Sequence, residues 1–225
     1  MTDTIITVQG EHSDWYAAER AIVRAGVHAW GARRDAVFER AKRAAATIRD
    51  SVEPRFDRDA GPITWWASDS VRVWAERPWN NEGKQLPRVF HAAQDFTVKF
   101  RDFDELSAWV ETTAEVPDAV VASIEWDLTE STRTSATAEV RSRAVKDAVA
   151  KATVFAQSIG LRQVTAIALA DPGMLGEQGA AAGGYAAAPM MARGAAFKDA
   201  GAPSLALKAE EISVSATVDA RFVAS

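Results

Sequence analysis

Alternation of apolar and polar side chains predicts several β-strands. An apolar residue at every second position marks a strand with one buried face, and the clearest such run spans 212–222. The run 20–31 alternates in the same way, with Arg24 and His28 on its polar face. A short apolar strand at 5–8 is predicted to form a hairpin with the run 20–31. Further predicted strands lie at 63–74, 96–100, 119–128 and 162–171.

Apolar side chains spaced three to four residues apart predict three helices. They are expected at 33–52, within 101–118 and at 135–159. In the last of these, a valine and four alanines recur at every fourth position, and Gly160 follows where glycine commonly ends a helix. Because this apolar stripe is mostly alanine, we expect a sheet to pack closely against the helix.

The order of these elements predicts an α+β fold. Strands in adjacent pairs are interrupted by helices, which indicates an antiparallel or mixed sheet of about seven strands with three helices packed on one face. We interpret 1–225 as a single domain. A long loop rich in alanine, glycine and methionine is predicted at about 172–207.

Composition excludes several classes of protein. Hydrophobic residues make up 48% and charged residues 25%, which is typical of a soluble globular chain. The net charge of −5 opposes nucleic-acid binding, and the absence of cysteine removes disulfides and thiolate sites. No signal sequence is recognisable at the N-terminus, and no stretch reaches the roughly 18 apolar residues of a membrane span. We therefore expect a cytoplasmic protein without a membrane span.

Four segments in order resemble the SIMPL domain family, a domain of unknown function. Its opening strand is similar to ITVQGE at 6–11, although His12 stands where the family has a second glycine. Its strand-to-helix passage is similar to VKFRDFDELSAWV at 98–110, and its alanine-rich helix to residues 144–161. The terminal strand of the family is similar to EEISVSATVDARF at 210–222.

The resemblance spans residues 6–222 and carries expectations about fold and role. It implies an α+β fold whose members assemble into ring-like or hollow oligomers. It also implies a link to oxidative and envelope stress in bacteria, and a signalling-adaptor role in an animal relative. It supplies no catalytic residues. Many bacterial members are exported, whereas no export signal is visible in this sequence.

The three histidines raise the question of a metal site. Across the predicted first hairpin, two of them could face each other with Glu11 nearby, which would give nitrogen and oxygen ligands. However, His12, His28 and His91 show neither H-x-H nor H-x-x-x-H spacing. We interpret them as surface histidines and predict no metal.

Carboxylates and sequence motifs give no candidate for catalysis. Asp102, Asp104 and Glu105 open a predicted helix, where they are favoured because they cap its free N–H groups. A second acidic group is interpreted as a solvated strand face: Glu125, Asp127 and Glu130. The sequence has no G-x-S-x-G, and the glycines near position 180 lack the lysine of a phosphate loop. We predict no catalytic and no cofactor-binding residues.

Aromatic residues and methionines provide the candidate interface. The chain contains eight tryptophans, and tryptophan is enriched in protein interfaces. Adjacent Trp65 and Trp66 must point to opposite faces of a strand, so one of them is expected outside the main core. The stretch 180–197 is interrupted by Pro189 and Arg193 and cannot span a bilayer. The predicted interface residues are Trp65, Trp66, Trp74, Trp79, Tyr185, Met190 and Met191.

Together these observations predict a non-enzymatic, SIMPL-like protein that self-assembles, with a role in stress response or as a scaffold. The expected partner is a second copy of the chain, in an oligomer for which a ring is one arrangement. Two alternatives stay open. One is a monomeric adaptor that binds a partner protein. The other is a small-molecule or metal-dependent enzyme with an acidic or histidine-lined pocket.

Overall fold

The computed structural model describes residues 3–175 and 207–225 and has the predicted α+β architecture. Its strands are β1 Thr4–Tyr16, β2 Arg20–Gly31, β3 Ile63–Ser68, β4 Arg72–Glu76, β5 Val89–Phe100, β6 Ala119–Asp127, β7 Val164–Ala170 and β8 Ile212–Ala224. Its helices are α1 Arg34–Val52, α2 Phe103–Ala114 and α3 Glu130–Ser158. A short 3-10 helix, Glu53–Arg55, extends α1.

The strands form two antiparallel sheets rather than one. One sheet has the order β1-β8-β7, and the other has the order β3-β5-β2-β6 with β4 also paired to β5. Residues 3–175 and 207–225 contain eight strands, against about seven predicted. The additional strand arises because the predicted strand at 63–74 divides into β3 and β4, which pair with different parts of β5.

The chain separates into two compact units. Unit 1 comprises the chain up to Tyr16, the stretch that begins at Thr129, and β8. Unit 2 comprises the stretch from Ala17 to Leu128 together with the residues just before β8. The interpretation of 1–225 as a single domain stays a prediction. Most of the loop predicted at about 172–207 lies outside the described residues.

The hairpin predicted between β1 and β2 is wrong. β1 pairs with β8 along its whole length, from Thr4 opposite Ala224 to Tyr16 opposite Ile212. β2 pairs instead with β5 and β6. The buried residues of β1 belong to the core beneath α3, whereas those of β2 belong to a separate core with α1 and α2. The two strands are therefore neighbours in sequence but members of different sheets.

In unit 1, α3 lies directly on the sheet through its alanine stripe, as the sequence predicts. The buried residues of α3 are Ala136, Val140, Ala144, Ala148, Ala152 and Ala156. The closest approach is at Gly10 of β1, where an added Cβ would lie 2.1 Å from the Ala144 carbonyl oxygen. Gly160 follows the helix with a φ of 84°, the left-handed conformation in which glycine is favoured.

Two side chains of α3 bind the main chain of β1 on either side of Gly10. The Glu11 N–H donates to Asp147 Oδ2 at 2.9 Å, and Lys151 Nζ donates to the Gln9 carbonyl oxygen at 3.1 Å. Lys151 Nζ also lies 2.8 Å from Asp147 Oδ2, in an ion pair. Since β1 is an outer strand of its sheet in the described part of the chain, these contacts occupy main-chain groups that another strand could otherwise bind.

This contact makes the stability of unit 1 depend on pH. The Lys151 ammonium, and then the Glu11 N–H, hold the pKa of Asp147 below its ordinary value. A carboxylate with a lowered pKa stabilises the folded state above its unfolded pKa of about 3.9, and this contribution disappears as pH falls through the folded pKa. We therefore expect Asp147→Asn to lower the free energy of unfolding at pH 7, and the difference from wild type to vanish in acid.

Urea unfolding at a series of pH values between 7 and the acid limit of the folded state measures this difference. Lys151→Met should give a similar profile because it removes the main cause of the lowered pKa. If the difference in the free energy of unfolding between Asp147→Asn and the wild type stays constant as pH falls, the charge of Asp147 does not contribute to stability.

In unit 2, both α1 and α2 pack on one face of the five-stranded sheet. The inward residues of β2 alternate as Ala21, Val23, Ala25, Val27 and Ala29, and all are buried. At the centre, Trp109 of α2 is 1% exposed and lies 5.4 Å from the ring of Phe100. Its indole N–H donates to Ser51 Oγ of α1 at 2.9 Å. Trp109 therefore joins both helices to the sheet.

Candidate functional site

The candidate site is the face of the five-stranded sheet opposite the helices, here called the outer face. Because side chains alternate along a strand, the residues next to each inward position point to this side. Its members come from all five strands: Arg24, His28, Trp30, Trp65, Arg72, Trp74, Glu76, His91, Asp95, Lys99 and Glu125. The strand register thus gathers residues that lie about 100 positions apart in the chain onto one surface.

Three tryptophans of the outer face are well exposed. Trp30 is 62% exposed, and Trp65 and Trp74 are each 43% exposed. Trp66 points the other way and packs against the buried core of unit 2. The prediction that Trp65 and Trp66 lie on opposite faces is therefore confirmed.

A group of three aromatic rings lies on the outer face where β4 and β2 flank β5. The ring of Trp74 lies 5.2 Å from that of His91 and 5.9 Å from that of His28, with interplanar angles of 12° and 7°. The two imidazole rings are 5.4 Å apart at 18°. Near-parallel offset rings at such distances attract one another and restrict each other's rotation.

Hydrogen bonds connect the two histidines to a carboxylate. Glu76 Oε1 lies 3.1 Å from His91 Nε2, and His91 Nδ1 lies 3.3 Å from His28 Nε2. An ionised carboxylate can only accept, so this contact selects the neutral tautomer of His91 that has its proton on Nε2 and a lone pair at Nδ1. The side chain of His91 is only 14% exposed, whereas His28 is exposed.

Two ion pairs and a cation–π contact lie on the outer face. Arg24 Nε lies 3.3 Å from Glu125 Oε1, and Arg72 Nη2 lies 2.6 Å from Asp95 Oδ2. Lys99 Nζ lies 5.1 Å from the centre of the Trp65 ring, a cation–π contact. The face therefore combines exposed aromatic area with a balance of positive and negative groups.

The other predicted interface residues lie elsewhere. Trp79 is 66% exposed, outside the sheet, in an isolated bridge with Gln85. Tyr185, Met190 and Met191 lie outside the described residues. Their proposed roles in an interface stay predictions.

Sequence reasoning missed two features of the outer face. Trp30 was not singled out, although it follows Arg24 and His28 on the polar side of the β2 alternation. The second is that His28 and His91 lie together, because β2 pairs with β5. A single sequence carries no signal for that pairing.

The acidic residues at the start of α2 have a structural role. Asp102 caps α2, with its Oδ1 accepting from the N–H groups of Asp104 and Glu105 at 3.0 Å each. This confirms the capping interpretation.

Within the part of the chain that the structure describes, no three or more histidine, aspartate or glutamate residues are grouped to hold a metal ion. None of the helices described there is long and apolar enough to cross a bilayer.

Comparison with known proteins assigns the family. The profile of the SIMPL family, described as a protein of unknown function (DUF541), matches residues 6–222. No curated protein shows significant similarity to the chain. The match covers nearly the whole sequence, including both units and the strand, helix and terminal segments on which the resemblance rests. The chain is therefore a member of the SIMPL family.

Proposed function

We propose that this protein is a non-enzymatic scaffold that self-associates through the outer face. The observation that carries the proposal is the exposure of Trp30, Trp65 and Trp74 on one sheet surface. Trp30 and Trp74 both lie opposite His91 in the strand register, and Trp65 lies further along β5, opposite Lys99. Tryptophans dominate the energetics of protein interfaces. A role in stress response, which the family resemblance implies, would be served by such an assembly.

The charge distribution favours a second copy of the chain as the partner. Three basic side chains, Arg24, Arg72 and Lys99, are matched by three acidic ones, Glu76, Asp95 and Glu125. A surface dominated by one sign repels an identical surface, whereas a balanced surface does not. In a two-fold dimer the same patch serves both subunits, and this balance satisfies that requirement.

The expected result is an oligomer at micromolar concentration that Trp30→Glu disrupts. An interface tryptophan that is a hot spot contributes about 2 kcal/mol or more, which is roughly 30-fold in the dissociation constant. Because a two-fold dimer loses both copies, the constant should rise by at least about 30-fold. Sedimentation velocity or light scattering on the wild type and the variant measures this change. Since Trp30 is 62% exposed, the variant should keep the wild-type fold, which circular dichroism checks.

Trp15 provides a matched control. It is 61% exposed but lies on β1 of the other sheet. Trp15→Glu should therefore leave the association intact. A wild-type chain that remains monomeric, or equal effects of the two substitutions, would contradict the proposed interface. A wild-type monomer that binds a different protein through Trp30 would indicate the adaptor function instead.

A further inference from the structure

We infer that His28 and His91 form a binding site for one divalent transition-metal ion of the zinc and copper class. The ligands are His28 Nε2 and His91 Nδ1. The proposal does not depend on self-association, because both ligands belong to one chain. Only two protein side chains take part, and water completes the coordination.

The distance between the two nitrogens is the first argument. Zinc binds imidazole nitrogen at about 2.0–2.1 Å, so two such ligands at the tetrahedral angle lie about 3.3–3.4 Å apart. The observed separation of His28 Nε2 and His91 Nδ1 is 3.3 Å. In the metal-free protein, the proton on His28 Nε2 is donated to His91 Nδ1 in a hydrogen bond. A metal ion would replace that proton, which moves to His28 Nδ1 by exchange with solvent.

The carboxylate behind His91 is the second argument. Glu76 Oε1 lies 3.1 Å from His91 Nε2. Histidines that bind metals nearly always donate their other ring N–H to a carboxylate, a carbonyl or water, which fixes the tautomer and raises the basicity of the ligating nitrogen. Glu76 therefore leaves His91 in the one neutral tautomer that can bind a metal through Nδ1.

The site is held in place and is open on one side. The Trp74 ring is stacked against both imidazoles, which restricts their rotation before any metal arrives. His28 is exposed in the single chain, so an ion and its water ligands can reach the pair before the outer face associates. Imidazole nitrogen suits zinc, copper and nickel and disfavours magnesium and calcium.

The test uses the untagged full chain with Zn²⁺ in calorimetry and Cu²⁺ in electron paramagnetic resonance. We expect one ion per chain, with hyperfine splitting from two imidazole nitrogens. His28→Gln and His91→Gln should each weaken binding by roughly 100-fold or more, beyond the 10–100-fold loss that removal of an outer carboxylate causes. Glu76→Gln should give a loss of about 10–100-fold.

His12→Gln is the control, because this third histidine lies in unit 1, where its Nε2 is 3.5 Å from Arg143. It should leave both the affinity and the spectrum unchanged. The inference is overturned if the wild type binds no stoichiometric ion, or if His12→Gln weakens binding as much as His28→Gln. Retained helicity in all variants, measured by circular dichroism, separates loss of the ligand from loss of the fold.

Discussion

Replacing Gly10 by alanine should destabilise unit 1 more than any other single methyl addition to β1. The new Cβ would lie 2.1 Å from the Ala144 carbonyl oxygen and 2.7 Å from the Ala148 Cβ. The first of these atoms belongs to the helix backbone, so no side-chain rotation relieves the overlap. The strand or α3 must move, which breaks the contacts of Gln9 and Glu11 with Lys151 and Asp147. We expect a loss of about 3 kcal/mol or more, the upper part of the range for overpacking.

Urea unfolding followed by circular dichroism measures this loss, and two further variants test its cause. Ala148→Gly in the Gly10→Ala background removes only the side-chain overlap, so it should not restore stability. Gly31→Ala is the matched control because its new Cβ would meet only the Val37 side chain, at 3.2 Å. It should cost less than about 1 kcal/mol. Equal unfolding midpoints for Gly10→Ala and wild type would refute the proposed close packing.

Trp109→Ala should cause the largest loss of stability in unit 2. Trp109 is 1% exposed, packs at 5.4 Å against Phe100 and donates to Ser51 Oγ. Removal of a buried tryptophan side chain costs about 3–5 kcal/mol, because the lost transfer energy adds to the cost of the cavity. Trp109→Phe refills most of that volume and should cost less.

The comparison with an exposed tryptophan makes this prediction specific. Trp65→Ala removes the same type of side chain from the outer face, where it is 43% exposed, and should change the free energy of unfolding by about 1 kcal/mol or less. The urea concentration at the unfolding midpoint should be lowest for Trp109→Ala, higher for Trp109→Phe and highest for Trp65→Ala. A larger loss for Trp65→Ala than for Trp109→Ala would place the core elsewhere.

Features that depend on neighbouring residues could be predicted from the sequence. The alanine stripe of α3, its stop at Gly160 and the cap at Asp102 all follow from side chains within a few turns of the chain. The alternation in β8 and the opposite directions of Trp65 and Trp66 follow from the two-residue period of a strand. Each of these predictions is confirmed.

Features that depend on strand pairing could not be predicted. The period of β1 and β2 shows that each has a buried face but not which core covers it, and a short connection favoured the hairpin that does not form. The candidate site could not be predicted for the same reason. Trp74, His91 and His28 meet only because β4 and β2 pair on either side of β5.

The pairing of β1 with β8 has a consequence for synthesis on the ribosome. Thr4 pairs with Ala224, so β1 has no native partner strand until β8 has been translated. The ribosome adds about 5–20 residues per second, so the roughly 200 residues between the two strands take about 10–40 s to translate. The strands and helices of unit 2 emerge within that interval. During this time β1 is a strand with apolar side chains and free main-chain groups, the type of segment that aggregates or recruits chaperones.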